Sequence, residues 1–370
     1  MKIGILTLPL HTNYGGILQA YALQTVLERM GHEVKVIDVD RTARLKWYKA
    51  PFTISKRILN KMKGCDVPVL MERELNRRKM EAEQYTKMFV STHIKELHVK
   101  SLDDLKEADF DAIVVGSDQI WRPKYINKFV KKGAVEQVFL SFAHEWKVKK
   151  VAYAASFGTE KWEFSKAETQ RCKPYAKLFD AVSVREVTAV GLCAQHLQIS
   201  AQHVLDPTML LSSEDYINLL SETEKNATHK LVTYVLDRTD DKEACITFIS
   251  KRLNAVPHEL NLVGLLSNGA SVQLPVENWL AGIMNAECVI TDSFHACVFS
   301  ILFNKPFVVL VNKERGASRF HSLLAMFKQE HRIVDGTLSE QDLPNVLSNP
   351  DCDLTKARAH SVSFLKEALK

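Results

Sequence analysis

The first forty residues run strand, glycine turn, helix, strand, and no other feature narrows the possible folds as much. Lys2-Ile-Gly-Ile-Leu-Thr-Leu8 is a short apolar run. After the loop from Pro9 to Gly16, Ile17, Leu18, Tyr21, Ala22, Leu23, Val26, Leu27 and Met30 recur at helical spacing. Gly31 stops that helix, and Glu33-Val-Lys-Val-Ile-Asp-Val39 starts a second strand. This is a βαβ unit, so the sheet is parallel and its crossover right-handed. The runs at 112–115, 151–155, 181–184 and 203–205 are short and mostly apolar, as parallel strands covered on both faces should be.

A second alternation begins near Lys230, with strands expected at 231–236, 259–263, 288–290 and 307–311. Helices fit at 241–253, 277–285, 296–303 and 318–326. The polar stretch from Ser212 to His229 separates the two sets and reads as a linker. The expected organisation is α/β, with two Rossmann-like domains facing a central cleft. The first covers 1–211 and the second 230–335. The segment 336–370 is helical, and its last helix, at 362–369, is expected to pack back on the first domain. Residues 41–100 interrupt the first alternation as a helical insertion or cap.

A chain of 370 residues suits two domains. With 46% hydrophobic and 25% charged residues it is neither disordered, collagen-like nor a small stapled scaffold. The apolar run from Ala296 to Val311 is cut by Asn304, Lys305 and Pro306, so no segment reads as a membrane span. The N-terminus passes from strand into a glycine turn without a cleavage site of small residues, which argues against a secretory signal. Seven scattered cysteines with no CxxC spacing are expected to be reduced apolar fillers, which suits cytoplasm. The net charge of +5 is uneven: from Arg41 to Met80 twelve Lys/Arg oppose three Asp/Glu, a local +9. Such a patch suits an anionic partner (nucleic acid, a membrane surface or a phosphate-bearing substrate) or is simply a solvated face.

Ligands of paired Rossmann-like sheets bind on loops at the carboxyl ends of the strands. Loop His11-Thr-Asn-Tyr-Gly-Gly16 opens a helix there and offers close backbone approach, although a plain tight turn explains it equally and it is not GxGxxG. Val115-Gly-Ser-Asp-Gln-Ile-Trp121 can hydrogen-bond sugar hydroxyls, with Trp121 as a stacking face, or simply cap a helix. Arg185 ends a strand and can fork a carboxylate or phosphate, or pair locally with Glu186. Leu205-Asp-Pro-Thr208 reads as a structural turn. In Thr291-Asp-Ser-Phe-His-Ala296 an apolar strand meets polar residues, and His295 is a general acid or base candidate beside Asp292 and Ser293. Lys313, Arg315, Arg319 and His321 follow on the next strand-end loop; they suit an anionic small substrate or surface solubility.

Asn13-Tyr-Gly-Gly16 with Gln19-Ala-Tyr-Ala-Leu23, Val115-Gly-Ser-Asp-Gln119, Tyr153-Ala-Ala-Ser-Phe-Gly158, Ser183-Val-Arg-Glu186, Asp206-Pro207 and Thr291-Asp-Ser-Phe-His295 together resemble the polysaccharide pyruvyl transferase family. The matches run in order to about residue 325. The departure is Ala296, where a glycine commonly follows the histidine, and its methyl group narrows backbone approach.

The resemblance implies a glycosyltransferase-B-like fold and transfer of the enolpyruvyl group of phosphoenolpyruvate onto two hydroxyls of a sugar. The product is a cyclic ketal on a cell-surface polysaccharide precursor such as that of a capsule or exopolysaccharide, often lipid-linked, and phosphate is released. No metal or redox cofactor is implied. His295 is then the acid that protonates the donor methylene. Arg185, Arg315, Lys313, Ser293 and Asp292 are donor candidates, the choice between Lys313 and Arg315 being open. Asn13, Tyr14, Gly15, Gly16 and Asp118 are the acceptor side. The basic insertion would lean on anionic lipid headgroups at the inner face of the membrane. No recognised module supports nucleic-acid binding. Two rivals are a nucleotide-sugar glycosyltransferase of the same fold, for which Glu277 is the one weak ribose candidate, and a non-catalytic saccharide- or phosphate-binding protein.

Overall fold

The computed structural model describes residues 1–126, 130, 133–261, 264–265, 271–311, 317–336 and 338–370. The first domain is a seven-stranded parallel sheet of β1 (Lys2–Leu6), β2 (Glu33–Val39), β3 (Glu96–Val99), β4 (Ala112–Val115), β5 (Lys149–Ala155), β6 (Ala181–Val184) and β7 (Gln202–His203), in the order β3-β2-β1-β4-β5-β6-β7. The register pairs Ile3 with Val34 on one side and with Ala112 on the other. All four residues of β4 are buried, as expected of a central strand covered on both faces. Helix α1 (Tyr14–Arg29) packs with Ile17, Leu18, Leu23 and Leu27 buried.

The order reverses between β1 and β4, so the loops leaving those two strands diverge to opposite faces and open a crevice. Those loops carry Pro9–Gly16 and Gly116–Gln119.

The second domain holds β8 (Val232–Tyr234), β9 (His258–Glu259), a two-residue antiparallel pair β10 (Gly264–Leu265) and β11 (Ser271–Val272), then β12 (Val289–Thr291), β13 (Phe307–Leu310) and β14 (Ile333–Val334). Its parallel sheet is ordered β14-β13-β12-β8-β9, and β12 leads directly into the helix Phe294–Leu302. The two sheets share one continuous apolar core. In it α1 residues lie with Trp279, Val298 and Phe299, Tyr14 stacks on Trp279 at 5.3 Å, and Tyr216 meets Phe299 edge-on at 4.8 Å.

The C-terminal helix Thr355–Ala368 starts earlier than its apolar spacing suggested and lies against the first domain. Arg358 donates to the carbonyls of Met209 and Leu211 at 2.9 and 3.0 Å. The Ser361 hydroxyl accepts from the Leu205 N–H at 3.0 Å. The expected linker at 212–229 is not simple coil: it contains two short helices, Ser213–Ile217 and Glu222–Lys225, capped by Ser212 with Asp215 and by Ser221 with Glu224. The insertion is helical as expected, with α2 (Ala50–Met62), α3 (Met71–Ala82) and α4 (Gln84–His93).

Candidate active site

The site is built where the crevice between β1 and β4 faces the turn after β12. Ser293 caps the helix Phe294–Leu302 with an extended backbone, which turns the chain after β12 and sets His295 in the first turn. His295 is buried, and its imidazole fills the volume where any side chain on Gly15 would stand. Its Nε2 lies 3.7 Å from Oδ2 of Asp206, ion-pair range but longer than a hydrogen bond.

Behind the imidazole lies a buried charge network. Arg185, at the end of β6, donates to Asp206 at 2.7 Å and to Asp118 at 3.1 Å, and its Nε is 3.6 Å from Glu186. Asp206 also accepts from the N–H and hydroxyl of Thr208 at 3.0 and 2.7 Å. Asp118, held in the left-handed region at φ 60°, accepts from Nδ2 of Asn13 at 3.2 Å. Burial alone would raise the Asp206 carboxyl, but His295, Arg185 and Thr208 outweigh it and hold it well below the usual carboxylate range. Asp118 is lowered against its burial by Arg185, His295 and Arg319. Glu186 goes the other way: burial pushes its carboxyl up despite Arg185 and the Ser156 hydroxyl that donates to it.

A cavity of about 450 Å³ opens in front of the network. Asn13, Gly15, Gly16 and Asp118 line it from the first domain, and Asp292, Ser293, His295 and Arg319 from the second. Arg319 rises from the helix Ser318–Met326, and burial, reinforced by nearby Arg185, lowers it to about 10. The Phe294 ring lies 4.8 Å from the Arg185 guanidinium and 5.5 Å from that of Arg319. The cavity thus joins a hydroxyl- and carboxylate-rich wall to a wall carrying an imidazole and a guanidinium.

Several residues singled out by sequence lie elsewhere. Arg185 does not line the cavity, because its guanidinium is shared by Asp118 and Asp206. Tyr14 does not line it either; its hydroxyl donates to the Leu274 carbonyl at 2.9 Å, and burial pushes its phenol well up. Asp292 reaches the cavity but accepts from the N–H groups of Leu236 and Asp237 and from Lys242 at 2.6, 3.1 and 2.7 Å, so it ties β8 to β12. Trp121 is no stacking face. It is fully buried, donates to the Val138 carbonyl and stacks on Phe139 at 5.0 Å. Lys313 and Arg315 lie outside the described residues. Asp206 is the residue that sequence reasoning undervalued, and its one signal was an acidic side chain directly after a strand, ahead of Pro207. Arg41 and His11 also line the cavity, Arg41 reaching it from the basic insertion.

Among the described residues one cluster has the spacing of metal ligands, Asp38 on β2 with Glu96 and His98 on the edge strand β3, and none of its members lines the cavity. No helix among the described residues is long and apolar enough to cross a membrane.

The whole chain superposes on sugar-nucleotide enzymes. The UDP-GlcNAc 2-epimerase of Neisseria meningitidis, solved with UDP-GlcNAc, matches at TM-score 0.55 and 8% identity over 100% of this chain and 99% of that one. S. aureus MnaA, solved with UDP, gives 0.51 and 12% over 100% and 96%, and the epimerase of Methanocaldococcus jannaschii 0.51 and 11% over 99% and 100%. Identities this low establish a shared two-domain, glycosyltransferase-B-like fold. No curated protein matches by sequence. The sequence profile of the polysaccharide pyruvyl transferase family does match, over residues 13–314. The profile spans the α1 loop, the Arg185 strand and the His295 turn, and this chain belongs to the polysaccharide pyruvyl transferase family.

Proposed function

We propose that this enzyme moves the enolpyruvyl group of phosphoenolpyruvate onto two hydroxyls of a saccharide, forming a cyclic pyruvate ketal and releasing phosphate. The observation that carries the reading is the pairing, in one cavity, of His295 with Arg319 opposite Asn13 and Asp118. Protonated His295 gives its proton to the donor methylene carbon, leaving an oxocarbenium-like centre at the neighbouring carbon. One hydroxyl adds there and phosphate departs. The second hydroxyl then closes the ring. One hydroxyl proton returns to the imidazole and the other leaves with phosphate, so protons balance.

Asp206 faces Nε2 of the imidazole at 3.7 Å. Arg319 is the cation that meets the donor's carboxylate or phosphate, and Arg185 instead fixes the two aspartates. Lys313 and Arg315 are further donor candidates by their place in the sequence. Asn13 and Asp118 present an amide and a carboxylate to sugar hydroxyls, and Ser293 a hydroxyl from the other wall.

The test is thermal unfolding with phosphoenolpyruvate, inorganic phosphate and UDP-GlcNAc, comparing wild type with Arg319→Gln. A ligand at 100 times its dissociation constant adds about 2.7 kcal/mol, a shift of a few degrees. Stabilisation by phosphoenolpyruvate beyond phosphate, lost in the variant, is the expected result. Stabilisation by UDP-GlcNAc alone would make the chain a nucleotide-sugar enzyme.

A further inference from the structure

The first two helices of the basic insertion, α2 and α3, differ in character. In α3 two of the three arginines are already neutralised: Arg77 pairs with Glu74 and Glu81, and Arg78 with Glu74. Arg57, on the inner side of α2, forks onto Glu72 at 2.7 and 2.8 Å. Much of the charge excess seen in the sequence is therefore carried by the outer side of α2 and the turn before it. There Lys46, Lys49, Lys56 and Lys63 form no ion pair among the described residues.

That same outer side is apolar. No residue of α2 is buried. Trp47 is 86% exposed, Phe52 76% and Met62 80%, and Tyr48, Ile58 and Leu59 are exposed as well. At 100° per residue, Phe52, Leu59 and Met62 fall on one stripe. Lys49, Lys56 and Lys63 recur every seven residues and border it along one flank. An outward stripe of aromatic, aliphatic and thioether side chains edged by lysines is the form of a helix that lies in a bilayer interface. We propose that α2 and the turn Trp47–Lys49 dock this chain on an anionic lipid surface. The stripe enters the headgroup boundary, and the lysines meet the lipid phosphates.

Charge complementarity selects this occupant. A second copy of the chain would bring two rows of lysines together across the apolar stripe. A nucleic acid would satisfy the lysines but leave Phe52 and Met62 facing water. The surface is tied to the site as well: Arg41, six residues before Trp47, lines the cavity. A docked α2 thus holds the cavity mouth close to the bilayer, where a lipid-linked saccharide would arrive. Docking itself does not depend on which donor the cavity takes.

The experiment is co-sedimentation of the full chain with phosphatidylcholine vesicles and with vesicles carrying phosphatidylglycerol at about one third of the lipid. Binding at least tenfold tighter to the anionic vesicles, weakened by salt, is expected. The exposed-site variant Trp47→Ser/Phe52→Ser/Met62→Ser should lose most of it, and Lys49→Glu/Lys56→Glu/Lys63→Glu should abolish it. Both should keep the wild-type melting temperature and any response to phosphoenolpyruvate, since α2 supplies nothing to the core. Equal binding to both vesicles, no binding to either, or a dimer by light scattering that the serine variant dissociates would overturn the proposal. So would binding to a single-stranded oligonucleotide in preference to vesicles.

Discussion

His295 and Gly15 occupy one space from opposite domains: a Cβ on Gly15 would stand 1.8 Å from Nδ1 and 2.1 Å from Cγ of the imidazole. The glycine at the start of α1 is thus a seat cut for a side chain of the other sheet. It sits in a helix, where backbone entropy disfavours glycine, and close approach of the ring is the reason it is there.

Gly15→Ala should therefore push the imidazole out of line. We expect turnover to fall about 100-fold or more, the effect of misplacing a reacting group by about 1 Å, while the protein remains folded. Gly191→Ala is the control, because nothing lies within 4 Å of its added methyl group. Phosphate release assayed for both variants decides the point; equal losses in the two would remove the special role of the seat.

Arg185 and Arg319 should separate cleanly on substitution. Arg185→Met strands two buried carboxylates and should cost about 3–5 kcal/mol, read as a lower urea midpoint. Arg319→Gln should leave that midpoint nearly in place and raise the apparent KM for the donor. If Arg185→Met retains full stability, the buried network is not what holds the crevice together.

Acid should dismantle the same network in a defined direction. The folded carboxyls of Asp118 and Asp206 sit below their ordinary values. Their contribution is complete above the unfolded value of about 3.9 and is lost as pH falls toward their folded values. Glu186 has the opposite sign: raised by burial, it contributes below its unfolded value and that contribution fades as pH climbs through its folded value. Asp206→Asn should flatten the acid limb of stability against pH, and Glu186→Gln should remove the loss of stability that sets in above the ordinary carboxylate range. Urea midpoints collected from pH 3 to 8 test both, and unchanged slopes would argue against the assignment.

Arg358→Ala should loosen the C-terminal helix by removing its two bonds to the Met209 and Leu211 carbonyls. A loss of about 1–3 kcal/mol follows from leaving those acceptors unsatisfied, seen as a melting temperature lower by several degrees. Activity at a temperature where the fold is intact should be unchanged.

Local pattern carried most of the fold. The expected strands at 33–39 and 112–115 coincide with β2 and β4, and the expected helix at 318–326 with the one observed. What escaped was short or cooperative. β3 and β14 are edge strands of four and two residues, too brief for a periodic signal. His295 stood out because a histidine directly after an apolar strand is locally legible. The commitment of Arg185 was not legible, since Asp118 and Asp206 lie 67 and 21 residues away and only the folded sheet brings them together. Nor does charge counting reveal which arginines are already paired, and so the bare face of α2 needed coordinates.

The apolar core running unbroken from α1 through Trp279 to Phe299 has a mechanical corollary. In two-lobed proteins whose halves touch through a wet, polar seam, ligands enter by a swing of one lobe. Here such a swing would pull Tyr14 off Trp279 and Tyr216 off Phe299, exposing oily surface at every turnover. A parting of the halves is therefore a costly way to admit a ligand in this fold.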